Sequence, residues 1–147
     1  MKKILVVDDD ADVRTAIVCT LEDIECQLIE ADNGAAAYDV AVSEKSDLII
    51  SDVMMDNGND FALMELLKRD SRTASIKVIM ITGAAQYAGA WQSDPNARYL
   101  LKPFSRMKFL LKLKRSSAIE VKPWLLKNGW NKVSSTRLLL LPHGNYS

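Results

Sequence analysis

The chain has 147 residues, 48% hydrophobic and 26% charged, a balance that suits one globular domain with a proper core and leaves no room for two ordinary ones. No apolar run approaches the roughly 18 residues that a membrane span needs, and with one histidine, His143, and two cysteines, Cys19 and Cys26, reduced cytosolic thiols are a simpler reading than a disulfide or metal framework. The net charge of zero hides a polarity: up to residue 70 there are seventeen acidic residues against six basic ones, and after it two against thirteen, so the ends either neutralise each other across one surface or divide into an acidic cation site and a basic partner face.

Met1-Lys2-Lys3 could open a signal peptide, but its apolar run Ile4-Leu5-Val6-Val7 stops at Asp8-Asp9-Asp10. Export is therefore not expected, and the chain reads as cytoplasmic. Residues 3–7 make a buried strand and 11–23 a helix, with Val13, Ile17, Leu21 and Ile24 at helical spacing. Residues 26–31 form a second strand, closed by the turn Asp32-Asn33-Gly34. An alanine-rich helix over 35–43 and a third strand over 47–51 follow. The polar loop Asp56-Asn57-Gly58-Asn59 leads into a helix over 60–69, with Phe61, Met64 and Leu67 on one side. Residues 77–81 are a fourth strand, 84–96 a weakly patterned, short or irregular helix, and 99–101 a short fifth strand. Ser105 caps a last helix reaching about residue 115.

This alternation predicts an α/β fold, a doubly wound parallel sheet with helices on both faces. Right-handed crossovers then place every strand tip on one edge, where ligands gather in such sheets. That edge collects Asp8, Asp9, Asp10, Asp52, Thr82 and Lys102. Clustered carboxylates repel and are costly to bury unpaired; a hard oxygen-seeking cation such as Mg²⁺ relieves both. A carboxylate can also attack phosphorus to give an acyl phosphate, with a lysine as point charge for a phosphate oxygen and a threonine as neutral donor. Singly, most of these residues have a plain alternative: Asp10 and Asp12 as helix-entry acids, Thr82 as a strand residue, Tyr99 as an edge aromatic, Lys102 as surface decoration. Their joint order favours the site.

The strings Val6-Val7-Asp8-Asp9, Ser51-Asp52-Val53-Met54-Met55, Ile81-Thr82-Gly83 and Tyr99-Leu100-Leu101-Lys102-Pro103-Phe104, with Ala31-Asp32-Asn33-Gly34 as a softer match, resemble the response-regulator receiver domain of two-component signalling over residues 1–116. The resemblance implies a flavodoxin-like five-stranded sheet of order 2-1-3-4-5. It implies Asp52 as phosphoacceptor from a sensor histidine kinase, a phosphotransfer protein or a small acyl phosphate. Asp9 and Asp52 would ligate Mg²⁺ (or Mn²⁺) directly, with the Met54 backbone carbonyl as third protein ligand and Asp8 acting through a water. Lys102 would contact the phosphoryl group, Thr82 would move towards it, and Tyr99 would turn inward behind Thr82. Gly83 fits beside the phosphate, and the Lys102–Pro103 bond is cis in the family. A receiver catalyses only its own phosphorylation and dephosphorylation and signals by switching partner binding.

The chain departs from the family at Asp56 and Asp60, where proline and glycine are usual, and Thr82 and Lys102 stand two residues closer than is typical. The extra acids predict slow phosphorylation, relieved in Asp56→Pro. Arg106, Lys108, Lys112, Lys114 and Arg115 give the last helix a cationic face, solvated or docking an acidic downstream partner through the fourth and fifth helices; direct DNA binding and membrane binding are not expected. Residues 117–147 are too short for a full output domain, yet Trp124, Trp130, Asn128-Gly129 and the apolar run 138–141 argue against a disordered tail. Asn-Gly marks either a hairpin or the end of a short helix, and the tail folds over the domain, joins a homodimer or is the remnant of an output domain. The rival readings are a degenerate receiver that binds partners without phosphate, and a Mg²⁺-dependent aspartyl phosphatase of the haloacid-dehalogenase type. Ala11-Asp12 after the aspartates misses the phosphatase's Thr or Val.

Overall fold

The computed structural model describes residues 1–52, 54–55, 58–83, 94–128 and 138–139. Five parallel strands form the central sheet: β1 (Lys3–Val7), β2 (Gln27–Ala31), β3 (Leu48–Asp52), β6 (Lys77–Thr82) and β7 (Ala97–Leu101). Their spatial order is β2-β1-β3-β6-β7, which is the expected 2-1-3-4-5. Short strands β4 (Met54–Met55) and β5 (Gly58–Asn59) pair antiparallel in the loop after β3. The helices are α1 (Ala11–Thr20), α2 (Gly34–Glu44), α3 (Asp60–Arg69), α4 (Arg106–Ser116) and α5 (Pro123–Asn128). None of the helices among the described residues is long and apolar enough to cross a membrane.

The strands are continuous apolar runs because helices cover both faces of the sheet. On one face Ile4, Val6, Ile50, Ile79 and Ile81 pack with Val13 and Ile17 of α1 and Phe109, Leu110 and Leu113 of α4. On the other, Leu5, Val7, Ile49, Val78 and Met80 pack with Ala37 and Ala41 of α2 and Leu63, Met64 and Leu67 of α3. Alternate residues of each strand serve opposite faces, as the pleat requires. The alanines of α2 let that helix approach closely, and α2 and α3 lie side by side.

Helix α1 stops three residues before the expected end. Its last amides turn tightly, with Leu21 N–H donating to Val18 O and Ile24 N–H to Leu21 O, yet Leu21 and Ile24 remain buried. Arg106 is not part of a solvated basic face. It is buried and donates to Asp23 Oδ2 at 2.9 Å, whereas Lys108, Lys114 and Arg115 are exposed.

The core continues past Ser116. Ile119, Val121 and Leu125 are buried against the α1–α4 face. A short helix, α5, precedes the Asn128-Gly129 step, and Leu138–Leu139 (β9) pairs antiparallel with Phe104–Ser105 (β8). Gly129, Trp130 and residues 140–141 lie outside the described residues, as do Asp56, Asn57 and the segment 84–93 that carries most of the expected fourth helix; the side chain of Phe61 is likewise outside them.

Candidate functional site

Strand register sets the site. Val7 lies opposite both Ala31 and Ser51, Asp52 opposite Ile81, and Thr82 opposite Leu101. The strands therefore end level, and Asp8, Asp52, Thr82 and Lys102 occupy consecutive tips of one edge. The Lys102 N–H extends the ladder by donating to Thr82 O at 2.8 Å, which fixes where the lysine side chain leaves the backbone. The Lys102–Pro103 peptide is cis.

Lys102 Nζ donates to Asp52 Oδ2 at 2.7 Å, with the two side chains only 12% and 8% exposed. Beside this pair lies Asp8, 1% exposed. Its Oδ1 accepts from the Asp10 amide at 2.9 Å, while its buried Oδ2 has no hydrogen-bond partner among the described residues. Burial pushes the Asp8 carboxyl up to about 8; the Asp10 amide opposes this, and the neighbouring Asp52 and Asp9 add to it. An orphaned carboxylate oxygen that faces like charges is what a cation would satisfy. Among the described residues no three His, Cys, Asp or Glu side chains form a ready-made cage. The crowding of Asp8 against Asp52 and Asp9 suits a hard cation such as Mg²⁺, which is bound through one or two carboxylates and keeps several waters. Met54 follows Asp52 closely and has its backbone held in the β4–β5 pair, opposite Asn59.

Thr82 is fully buried at the tip of β6. Tyr99 lies opposite Met80 in the ladder and packs half-buried against the α2–α3 core face. Asp9 is half-buried, next in the chain to Asp8. Asp10 has the role read for it as a helix-entry acid: its side chain accepts from Asp12 N–H at 2.7 Å and Val13 N–H at 3.2 Å, capping α1. Asp60 is the first residue of α3, whereas Asp56 lies outside the described residues.

One residue at this edge has no counterpart in the sequence reading. Arg14, in the second turn of α1, donates from Nη1 to the Asp8 carbonyl oxygen at 2.6 Å and from Nε to Glu30 at 3.0 Å. The available signal was a lone cation in a helix that follows three acids.

The model of the response regulator receiver domain family matches residues 4–114. The chain is 36% identical over 115 residues to the phosphate regulon transcriptional regulatory protein PhoB of Pseudomonas aeruginosa, covering 77% of this chain but 50% of PhoB, so it spans half the length of that relative. Among solved structures it superposes on the chemotaxis response regulator CheY4 of Vibrio cholerae with a TM-score of 0.71 at 27% identity, covering 79% of this chain and 98% of CheY4. A second, the response regulator TrrA of Thermotoga maritima in complex with Mg²⁺–BeF, gives a TM-score of 0.70 at 26% identity, covering 79% of this chain and 99% of TrrA.

Proposed function

From the premise that this chain belongs to the response regulator receiver family of two-component signalling, we propose that Asp52 accepts a phosphoryl group from a histidine kinase or phosphotransfer protein and that the acyl phosphate switches binding of a downstream partner. The observation that carries the reading is the buried Lys102–Asp52 contact of 2.7 Å at the level edge of the sheet, beside Asp8, whose buried Oδ2 has no hydrogen-bond partner among the described residues.

Asp52 supplies the carboxylate oxygen that attacks phosphorus, and the donor's leaving group departs with the bonding electrons. Asp9, Asp52 and the Met54 carbonyl would hold the divalent cation, with Asp8 completing the acidic wall. Mg²⁺, or Mn²⁺ in its place, supplies charge neutralisation on the phosphoryl oxygens when bound. Lys102 needs no large movement, because its ammonium already contacts the acceptor carboxylate and can pass to a phosphoryl oxygen. The Thr82 hydroxyl gains an anionic acceptor once phosphate is present, and Tyr99 follows it inward, which transmits occupancy to the surface around β7 and α4. The exposed cations Lys108, Lys114 and Arg115 suit an acidic partner there. The compartment is the reducing cytosol, in keeping with free thiols at Cys19 and Cys26. Contact with DNA forms no part of this reading.

The test is intact-mass spectrometry after incubation with acetyl phosphate and Mg²⁺. The wild-type protein should gain one acid-labile phosphoryl group, and Asp52→Asn should gain none. Absence of the adduct in wild type would leave a receiver that binds partners without phosphate.

A further inference from the structure

We propose that Arg14 is a positioning residue for the acidic crevice, setting the plane of the Asp8–Asp9 peptide so that both carboxylates face a divalent cation. The proposal rests on the reading of the crevice as a phosphoacceptor and Mg²⁺ site. The backbone of Asp8 is fixed from two sides. Its N–H donates to the Ala31 carbonyl on β2 at 3.1 Å. Its carbonyl accepts from Arg14 Nη1 at 2.6 Å. The guanidinium is itself anchored on β2 through Nε to Glu30 Oε1 at 3.0 Å, and its side chain is only 17% exposed.

The carbonyl of residue 8 and the amide of residue 9 form one rigid plane. Holding its oxygen therefore fixes the direction in which Asp8 and Asp9 leave the backbone. Asp8, Asp9 and Asp10 would otherwise repel one another at the end of a strand. A planar fork with several donors can hold a carbonyl and a carboxylate together, which a single ammonium does less well. This is the geometry by which residues outside a metal's own ligand set orient those within it.

Orientation and charge predict opposite signs. If Arg14 acted on the crevice as a nearby positive charge, it would compete with the cation, and its removal would tighten binding. Acting through the Asp8 carbonyl, its removal loosens binding.

The experiment is isothermal titration of Mg²⁺ alone into the full chain, well below its melting temperature, for wild type, Arg14→Ala, Arg14→Lys and Glu30→Gln. Arg14→Ala should weaken Mg²⁺ binding by about tenfold. Arg14→Lys, which retains one donor for the carbonyl, should recover part of that loss. Glu30→Gln, which keeps the bond to Asp8, should stay within about twofold of wild type. The ¹³C shift of the Asp8 carbonyl should move in Arg14→Ala and much less in Glu30→Gln, a signature that general loosening of α1 would not give. Unchanged or tighter binding in Arg14→Ala overturns the proposal while leaving the Mg²⁺ site standing. Should Arg14→Ala fail to fold, affinity and carbonyl shift both unchanged in Arg14→Lys would overturn it instead. Failure of the wild-type protein to bind Mg²⁺ overturns the phosphoacceptor reading and this proposal with it.

Discussion

At the scale of single residues, the candidate site is a balance of buried charges. Lys102→Ala leaves the Asp52 carboxylate almost wholly buried without its ammonium. In metal-free protein it should destabilise the fold by about 3 kcal/mol, read from urea unfolding. Asp52→Asn should cost less than Lys102→Ala, because the amide oxygen still accepts from the Lys102 ammonium. A different carboxylate contributes to the acid limb. Arg72 and the Tyr38 hydroxyl hydrogen-bond Asp70, at 2.6 and 2.5 Å, and hold its carboxyl well below the usual carboxylate range. A depressed carboxyl contributes stability that is fully present above its unfolded value near pH 4 and disappears as pH falls through its folded value. Asp70→Asn should therefore flatten the loss of stability below about pH 4, measured by urea unfolding across that range. The places of Asp8, Asp52, Thr82 and Lys102 at the strand tips were legible in the sequence because each closes an apolar run. The contact of Arg14 with Asp8 was not, because its partner is a backbone carbonyl, and a carbonyl leaves no mark in the order of side chains.

At the scale of elements, capping chemistry and periodicity carried different amounts of information. Asp10 was readable as a helix-entry acid and Ser105 as an N-cap, and each accepts amide hydrogens of its own helix, Ser105 from Lys108 N–H at 3.2 Å. Asp10→Ala and Ser105→Ala should each cost about 1 kcal/mol in thermal or urea unfolding. The expected extension of α1 to residue 23 failed for a definite reason. Apolar spacing reports which residues are buried, and Leu21 and Ile24 are; it does not report whether the backbone between them is still helical. Arg106 was counted with its basic neighbours because a charge run normally marks a solvated face. Asp23, 83 positions earlier in the chain, holds it in the interior instead, a pairing that no local pattern encodes.

At the scale of the whole molecule, the segment after Ser116 contributes to the domain that precedes it. Leu125 is fully buried against the same face as Val13 and Phe109. Leu125→Ala should destabilise the protein by about 3 kcal/mol, measured as a lowered urea midpoint with unchanged slope. A tail that only trailed from the domain would show no such loss. The sequence by itself determined the order of strands and helices, the two-faced core and the residues at the strand tips. These follow from local periodicity, from runs that end in charge, and from the handedness of crossovers, all of which act over short stretches of chain. Tertiary structure alone decided that the tips stand level, that Lys102 reaches Asp52, that Asp8 keeps a buried oxygen without a partner among the described residues, and that Ile119, Val121 and Leu125 pack on the α1–α4 face. Each depends on the free energy of contacts between residues tens of positions apart, where register and packing, and not composition, choose among the partners available.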